Sequence, residues 1–122
     1  MNVNGPPGLL DTKWQLLSIV FEGTAIDDVE GAGADITLDS NGTVFGRGGC
    51  NRFFGKYHLE EESIRIGPLA STRMYCERTM AVEIAFFKAL GAVRKVRSEQ
   101  DTMEMRSEDG ATVLLFRKGM DQ

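Results

Sequence analysis

The sequence predicts an α+β fold that is mostly β, built from short antiparallel hairpins with one helix packed into them. Three observations carry this. Turn signals recur between alternating apolar runs, a single segment switches to a helical period, and a glycine cluster interrupts the strand rhythm between residues 46 and 57.

The elements follow in order. Trp14 to Phe21 is rich in bulky and β-branched residues and reads as the first strand. Ile36 and Leu38 alternate with Thr37 and Asp39, and Ser40-Asn41-Gly42-Thr43 separates them from Val44-Phe45. Asn-Gly at that point predicts a type I′ turn, whose two central residues both need φ > 0. Tyr57 and Leu59 share one face, Glu60-Glu61-Glu62 makes a solvated turn, and Ile64 and Ile66 return. A third hairpin places Met103 and Met105 before Ser107-Glu108-Asp109-Gly110 and returns over Thr112 to Phe116.

Arg78 to Leu90 holds no proline or glycine and ends at Gly91, which predicts a helix with Gly91 as its C-terminal cap. Met80, Val82, Ile84, Phe86, Phe87 and Leu90 form an apolar arc over more than half the circumference, so the helix should sink into the sheet. Thr79 and Glu83 fall inside that arc. A carboxylate there needs a partner, since an uncompensated buried charge costs several kcal/mol; an Arg, an amide or several backbone N–H groups should meet Glu83.

At 122 residues the chain has room for one domain, which would bury roughly two-thirds of its unfolded surface. Residues 1–11, with Gly5-Pro6-Pro7-Gly8, read as a flexible leader, 12–117 as the domain and 118–122 as a tail. A net charge of −4 disfavours a general nucleic-acid binder. No apolar run reaches the roughly 20 residues of a membrane span, and no secretory signal is visible. A monomer is expected.

The stretch from Gly46 to Tyr57 combines four glycines, Cys50 and the cations Arg47, Arg52 and Lys56, which signals a bulge, a sharp bend or a contact surface. Asn51 stands where a dinucleotide fingerprint needs glycine, and no Gly-Lys-Ser/Thr occurs anywhere, so both phosphate motifs fail. One His and two Cys without metal-ligand spacing predict neither a metal nor a cofactor site. A cysteine-dependent enzyme or redox protein is the alternative class, with Cys50 as nucleophile, His58 as base and Glu83 as orienter, or with Cys76 as redox partner. His58 alternates with Tyr57 and Leu59, which points it to solvent and argues against the enzyme.

The ordered set Trp14-x-Leu16, Gly49-Cys50-Asn51-Arg52-x-x-Gly55-x-Tyr57, Ile64-x-Ile66-x-Pro68-Leu69-x-Ser71-Thr72-x-Met74-x-Cys76, Glu83-x-x-Phe86-x-x-x-Leu90 and Val113 to Phe116 resembles the META domain, the HslJ-like heat-shock protein family. The resemblance runs from about Thr12 to Arg117. It implies an antiparallel sheet curled toward a half-open barrel of about eight strands, with the helix packed into it. It also implies a stress-associated bacterial envelope or secreted protein, periplasmic or outer-membrane associated and often a lipoprotein; trypanosomatid members are linked to virulence and motility. It supplies no catalytic residue.

Cys50 and Cys76 each lie inside one of these motifs, and either a bridge between them or two buried thiols fits; a bridge would contribute about 3.5 kcal/mol by chain entropy. Arg52 and Arg73 read either as an anion-recognition pair or as structural partners, one of them neutralising Glu83 or capping carbonyls. The leading expectation is a non-catalytic binding or structural module for a protein, peptide or small ligand, engaged through a sheet edge or through a surface with Arg47, Arg52 and Arg73. Protease inhibition and chaperone-like assistance both fall within it. A ligand-carrying barrel would instead need an empty interior.

Overall fold

A computed structural model describes residues 6–119, so residues 1–5 of the expected leader and 120–122 of the expected tail lie outside the described residues. The chain forms β1 (Trp14–Phe21), β2 (Thr24–Ala25), β3 (Asp35–Leu38), β4 (Thr43–Arg47), β5 (Arg52–Glu60), β6 (Ser63–Ser71), α1 (Met80–Ala92), β7 (Val93–Glu99), β8 (Thr102–Ser107) and β9 (Val113–Lys118). Each strand pairs antiparallel with the next in the order β1, β3, β4, β5, β6, β7, β8, β9. β1 then pairs with β9 from Trp14↔Lys118 to Val20↔Val113, which closes the ring.

The expected curled sheet is therefore a barrel of eight strands with the two-residue β2 appended to β1. Pairing of β1 with β9 covers the long edge that β9 would expose in an open sheet. The loosest seam lies between β6 and β7, joined by the single pair Ser63↔Lys95. α1 connects these two strands and packs against β6 and β1.

Alternation puts Trp14, Leu16, Ile36, Leu38, Val44, Phe53, Ile64, Met103, Met105, Leu114 and Phe116 inside, where Val82, Phe86, Ala89 and Leu90 of α1 meet them. Phe86 packs edge-on against Phe53 with ring centroids 5.8 Å apart, and also meets Phe116. The interior is thus filled by side chains, unlike the hollow a carrier barrel needs.

Four expectations need correction. Asn41 does not adopt positive φ; Gly42 alone does, at 91°. The Asp39 carboxylate accepts the N–H groups of Asn41 (2.9 Å) and Thr43 (3.1 Å) while Gly42 N–H bonds the Asp39 carbonyl, so an aspartate-anchored turn replaces type I′. Gly91 is not a cap but lies within α1, which passes straight into β7 at the extended Val93, whose N–H bonds the Ala89 carbonyl. Ile84 is 50 % exposed, so the apolar arc is wider than the face the barrel covers. Finally, ordered packing begins before Thr12: Leu9 is fully buried, its carbonyl accepts the Trp14 indole N–H at 3.0 Å, and Asp11 N–H bonds the Leu38 carbonyl. β9 likewise runs to Lys118, and Gly119 N–H bonds the Lys13 carbonyl.

Gly91 sits in an exposed helical turn without positive φ, and a Cβ there would meet no atom within 4 Å. Gly91→Ala should therefore raise stability by about 1 kcal/mol through helix propensity, visible as a higher urea midpoint. An unchanged or lower midpoint would show that the helix-to-strand junction itself needs glycine.

Candidate functional site

β4 ends at Arg47 and β5 starts at Arg52, leaving Gly48-Gly49-Cys50-Asn51 to reverse the chain, with Gly48 N–H bonded to the Asn51 carbonyl at 2.8 Å. Gly49 takes φ of 118°, which side-chain-bearing residues rarely adopt. At Gly48 the constraint is space: a Cβ would lie 2.7 Å from the Phe87 ring and 2.8 Å from Glu83 Cγ. The helix can press against this turn only because no side chain intervenes.

Pressed there, the buried Glu83 carboxylate collects three donors. Oε1 accepts the backbone N–H groups of Cys50 (3.0 Å) and Asn51 (2.7 Å), and Oε2 accepts the Asn51 side-chain amide at 2.7 Å. Hydrogen bonds to an ionised acceptor are the stronger kind, and they satisfy a group that would be costly to bury alone. The Asn51 amide also donates to the Met74 carbonyl (2.9 Å), and its Oδ1 accepts Met74 N–H (2.7 Å) and the Thr72 hydroxyl (2.8 Å). All four hydrogen-bonding positions of that side chain are in use. One carboxylate on α1 thus fixes the turn, and the turn's asparagine fixes the segment after β6.

A disulfide joins Cys50 to Cys76 and ties the same two segments covalently, with their Cα atoms 5.8 Å apart. Closing that loop contributes about 3.5 kcal/mol by the chain-entropy model. The bond also removes the arrangement a cysteine nucleophile would need: Cys50 has no free thiol, His58 is exposed on β5, and Glu83 is committed to the turn. Neither Arg52 nor Arg73 pairs with Glu83, one of the two structural roles open to them; backbone N–H groups and an amide, the other partners expected for this carboxylate, meet it instead, and both arginines are exposed.

The three arginines expected on a surface gather at one end of the barrel. Arg47 lies directly opposite Arg52 across β4 and β5, and Arg52 exchanges bonds with Thr72, the residue before Arg73. Arg47 also faces Asp35, whose carboxyl is pushed up by burial against the opposing pull of Lys13 and Arg47. Elsewhere in the motifs, Ser71 pairs with Phe53, and Gly55 lies opposite Leu69 beside a register shift. Tyr57 donates its hydroxyl to the Asp39 carbonyl; burial, then the charges of Asp39 and Asp11, raise its pKa.

The outward aromatic pair Phe45↔Phe54 is a feature the sequence reading did not single out. The signal was present: Phe53 and Phe54 are adjacent in a strand, so one of them must face out. Among the described residues, no group of three or more His, Cys, Asp or Glu side chains could hold a metal.

Glu83→Gln would turn an N–H group toward one of the three donors. It should cost about 2 kcal/mol or more, against about 0.5 kcal/mol for a typical surface change. Equal urea midpoints for variant and parent would contradict the network.

No curated protein matches the chain in sequence. Among solved structures it is similar to a protein from Burkholderia xenovorans determined by NMR, at 30% identity, with 93% of this chain and 85% of that one covered and a TM-score of 0.72. It shares its fold with a DUF4847 family protein from Bacteroides vulgatus at 12% identity, covering 94% of this chain and 97% of that one with a TM-score of 0.71. The META domain model matches residues 7–120, which contain the whole barrel, its helix and the bridged turn, and the chain belongs to the META domain family.

Proposed function

We propose that this chain is a non-catalytic protein-binding module of an oxidising, envelope-associated compartment, and that it meets its partner with the end of the barrel bearing Arg47, Arg52 and Arg73. One observation carries the reading. Of the six large hydrophobic side chains exposed among the described residues, four belong to this end and the outer face beside it: Phe45 (42 %), Phe54 (58 %), Met74 (57 %) and Tyr75 (75 %). Aromatic residues, methionine and arginine are the types enriched in protein interfaces, and here they occur together.

Two further facts favour this face over a sheet edge and over a ligand cavity. The strands close on one another except at the β6–β7 seam, where α1 packs against β6, and the interior is occupied by Trp14, Phe53, Phe86 and Phe116. The Cys50–Cys76 bond favours a compartment outside the reducing cytosol. Stress association fits a small cross-linked module whose contact surface is held in shape before it binds.

The test is affinity capture from envelope extract with three immobilised forms: the parent, an Arg52→Ala/Phe54→Ser variant, and an Ile84→Ser control altered on the exposed side of α1. The parent and the control should retain one common partner that the double variant loses. Recovery of the same proteins by all three forms would contradict the assignment of this face.

A further inference from the structure

We propose that residues 71–76 form a substrate-mimicking loop that inhibits serine proteases of trypsin specificity, with Arg73 filling the protease's specificity pocket. This rests on the binding-module reading above and names the class of its partner.

The segment from Ser71 to Tyr75 is exposed throughout, yet hydrogen bonds tether it on both sides of Arg73. In an extended chain the N–H and C=O of one residue face the same side, and those of its neighbours face the other. Asn51 binds both main-chain groups of Met74, and Thr72 turns its N–H to the Arg52 carbonyl at 3.1 Å. Arg73, between them, takes no part in those bonds, so by this alternation its own N–H and C=O turn to the opposite, outer side beside its exposed side chain. A protease reads its substrate in this form: an extended main chain with one long side chain inserted in a pocket, which in trypsin ends in a carboxylate.

What distinguishes an inhibitor from a substrate is the fate of the two new ends. Thr72 and Met74 flank the Arg73 carbonyl, and both donate to the same oxygen, Asn51 Oδ1, at 2.8 and 2.7 Å. Asn51 is anchored by Glu83, and Cys76 is bonded to Cys50. A protease serine attacking the Arg73 carbonyl would form an ester and break the Arg73–Met74 C–N bond, the hydroxyl proton passing to the Met74 nitrogen. That amine stays in place, so it attacks the ester in turn, re-forming the peptide bond and returning the proton to the serine oxygen. A loop ordered before binding also loses little entropy on docking, the condition under which protease–inhibitor pairs become tight at ordinary interface size.

The experiment titrates trypsin with the oxidised full chain and reads hydrolysis of a small chromogenic arginine amide, with chymotrypsin as the parallel probe. Trypsin should lose activity in proportion to added chain. Arg73→Lys should keep this effect, Arg73→Ala should weaken it on the order of 100-fold, and Arg73→Phe should transfer inhibition to chymotrypsin. Full trypsin activity in excess chain would overturn the proposal, as would rapid cleavage after Arg73 with trypsin activity restored, the behaviour of a plain substrate. Either failure leaves the capture experiment with the Arg52→Ala/Phe54→Ser variant unaffected, so the protease assignment and the binding-face reading fall separately.

Discussion

The Glu83 carboxylate is the interaction on which the rest of this molecule turns. It projects from the buried face of α1, where a charge without partners would be strongly unfavourable, and its three donors all come from the turn between β4 and β5. That demand sets the local sequence. Gly48 must lack a side chain so that the helix can come close enough, and Gly49 must adopt a backbone conformation that aims two successive N–H groups at one oxygen. Asn51 must offer an amide that faces Glu83 on one side and Met74 on the other. The disulfide, which starts at Cys50, itself one of the donor residues, reinforces the same arrangement covalently.

Much of this architecture was legible in the sequence because period and turn chemistry are local. β1 matches the apolar run Trp14–Phe21, and the hairpins fall where the turn residues sit. The need for a partner at Glu83 was also legible, since its place in the apolar arc follows from helical geometry alone. The partner's identity was not. Electrostatics favours a guanidinium as readily as a cluster of N–H groups, and only the fold decides which is in reach. Gly91 misled because a glycine after an apolar helical run has two uses; here β-branched Val93 makes the transition and the helix passes through the glycine. Asn41 misled because Asp39, two residues earlier, captures the turn with its carboxylate. Leu9 was invisible for a different reason: a single leucine among prolines and glycines carries no period, and nothing in the local pattern announces that its carbonyl meets the Trp14 indole N–H.

The proposed binding role rests on where the fold places its ordered polar groups. A closed barrel filled by Trp14, Phe53, Phe86 and Phe116 offers little inside, and the oxidised Cys50 offers no nucleophile. The molecule instead invests a buried carboxylate, a fully engaged asparagine and a covalent bridge in holding a stretch of exposed chain. Such expense in rigidity outside the core is intelligible where the held segment meets another molecule, because ordering it beforehand removes an entropic cost from binding. The arginines and aromatic side chains at that end give the held segment its chemical character.

Native-state hydrogen exchange tests the central claim most directly, amide by amide. If Glu83 and Asn51 hold the turn and the segment after β6, the amides of Asn51 and Met74 exchange only as slowly as those of the core strands, while the intervening and following amides of Arg73 and Tyr75 exchange rapidly. A Met74 amide that exchanges as fast as its neighbours would mean that the asparagine clamp does not hold, and the account of this end of the molecule would fail with it.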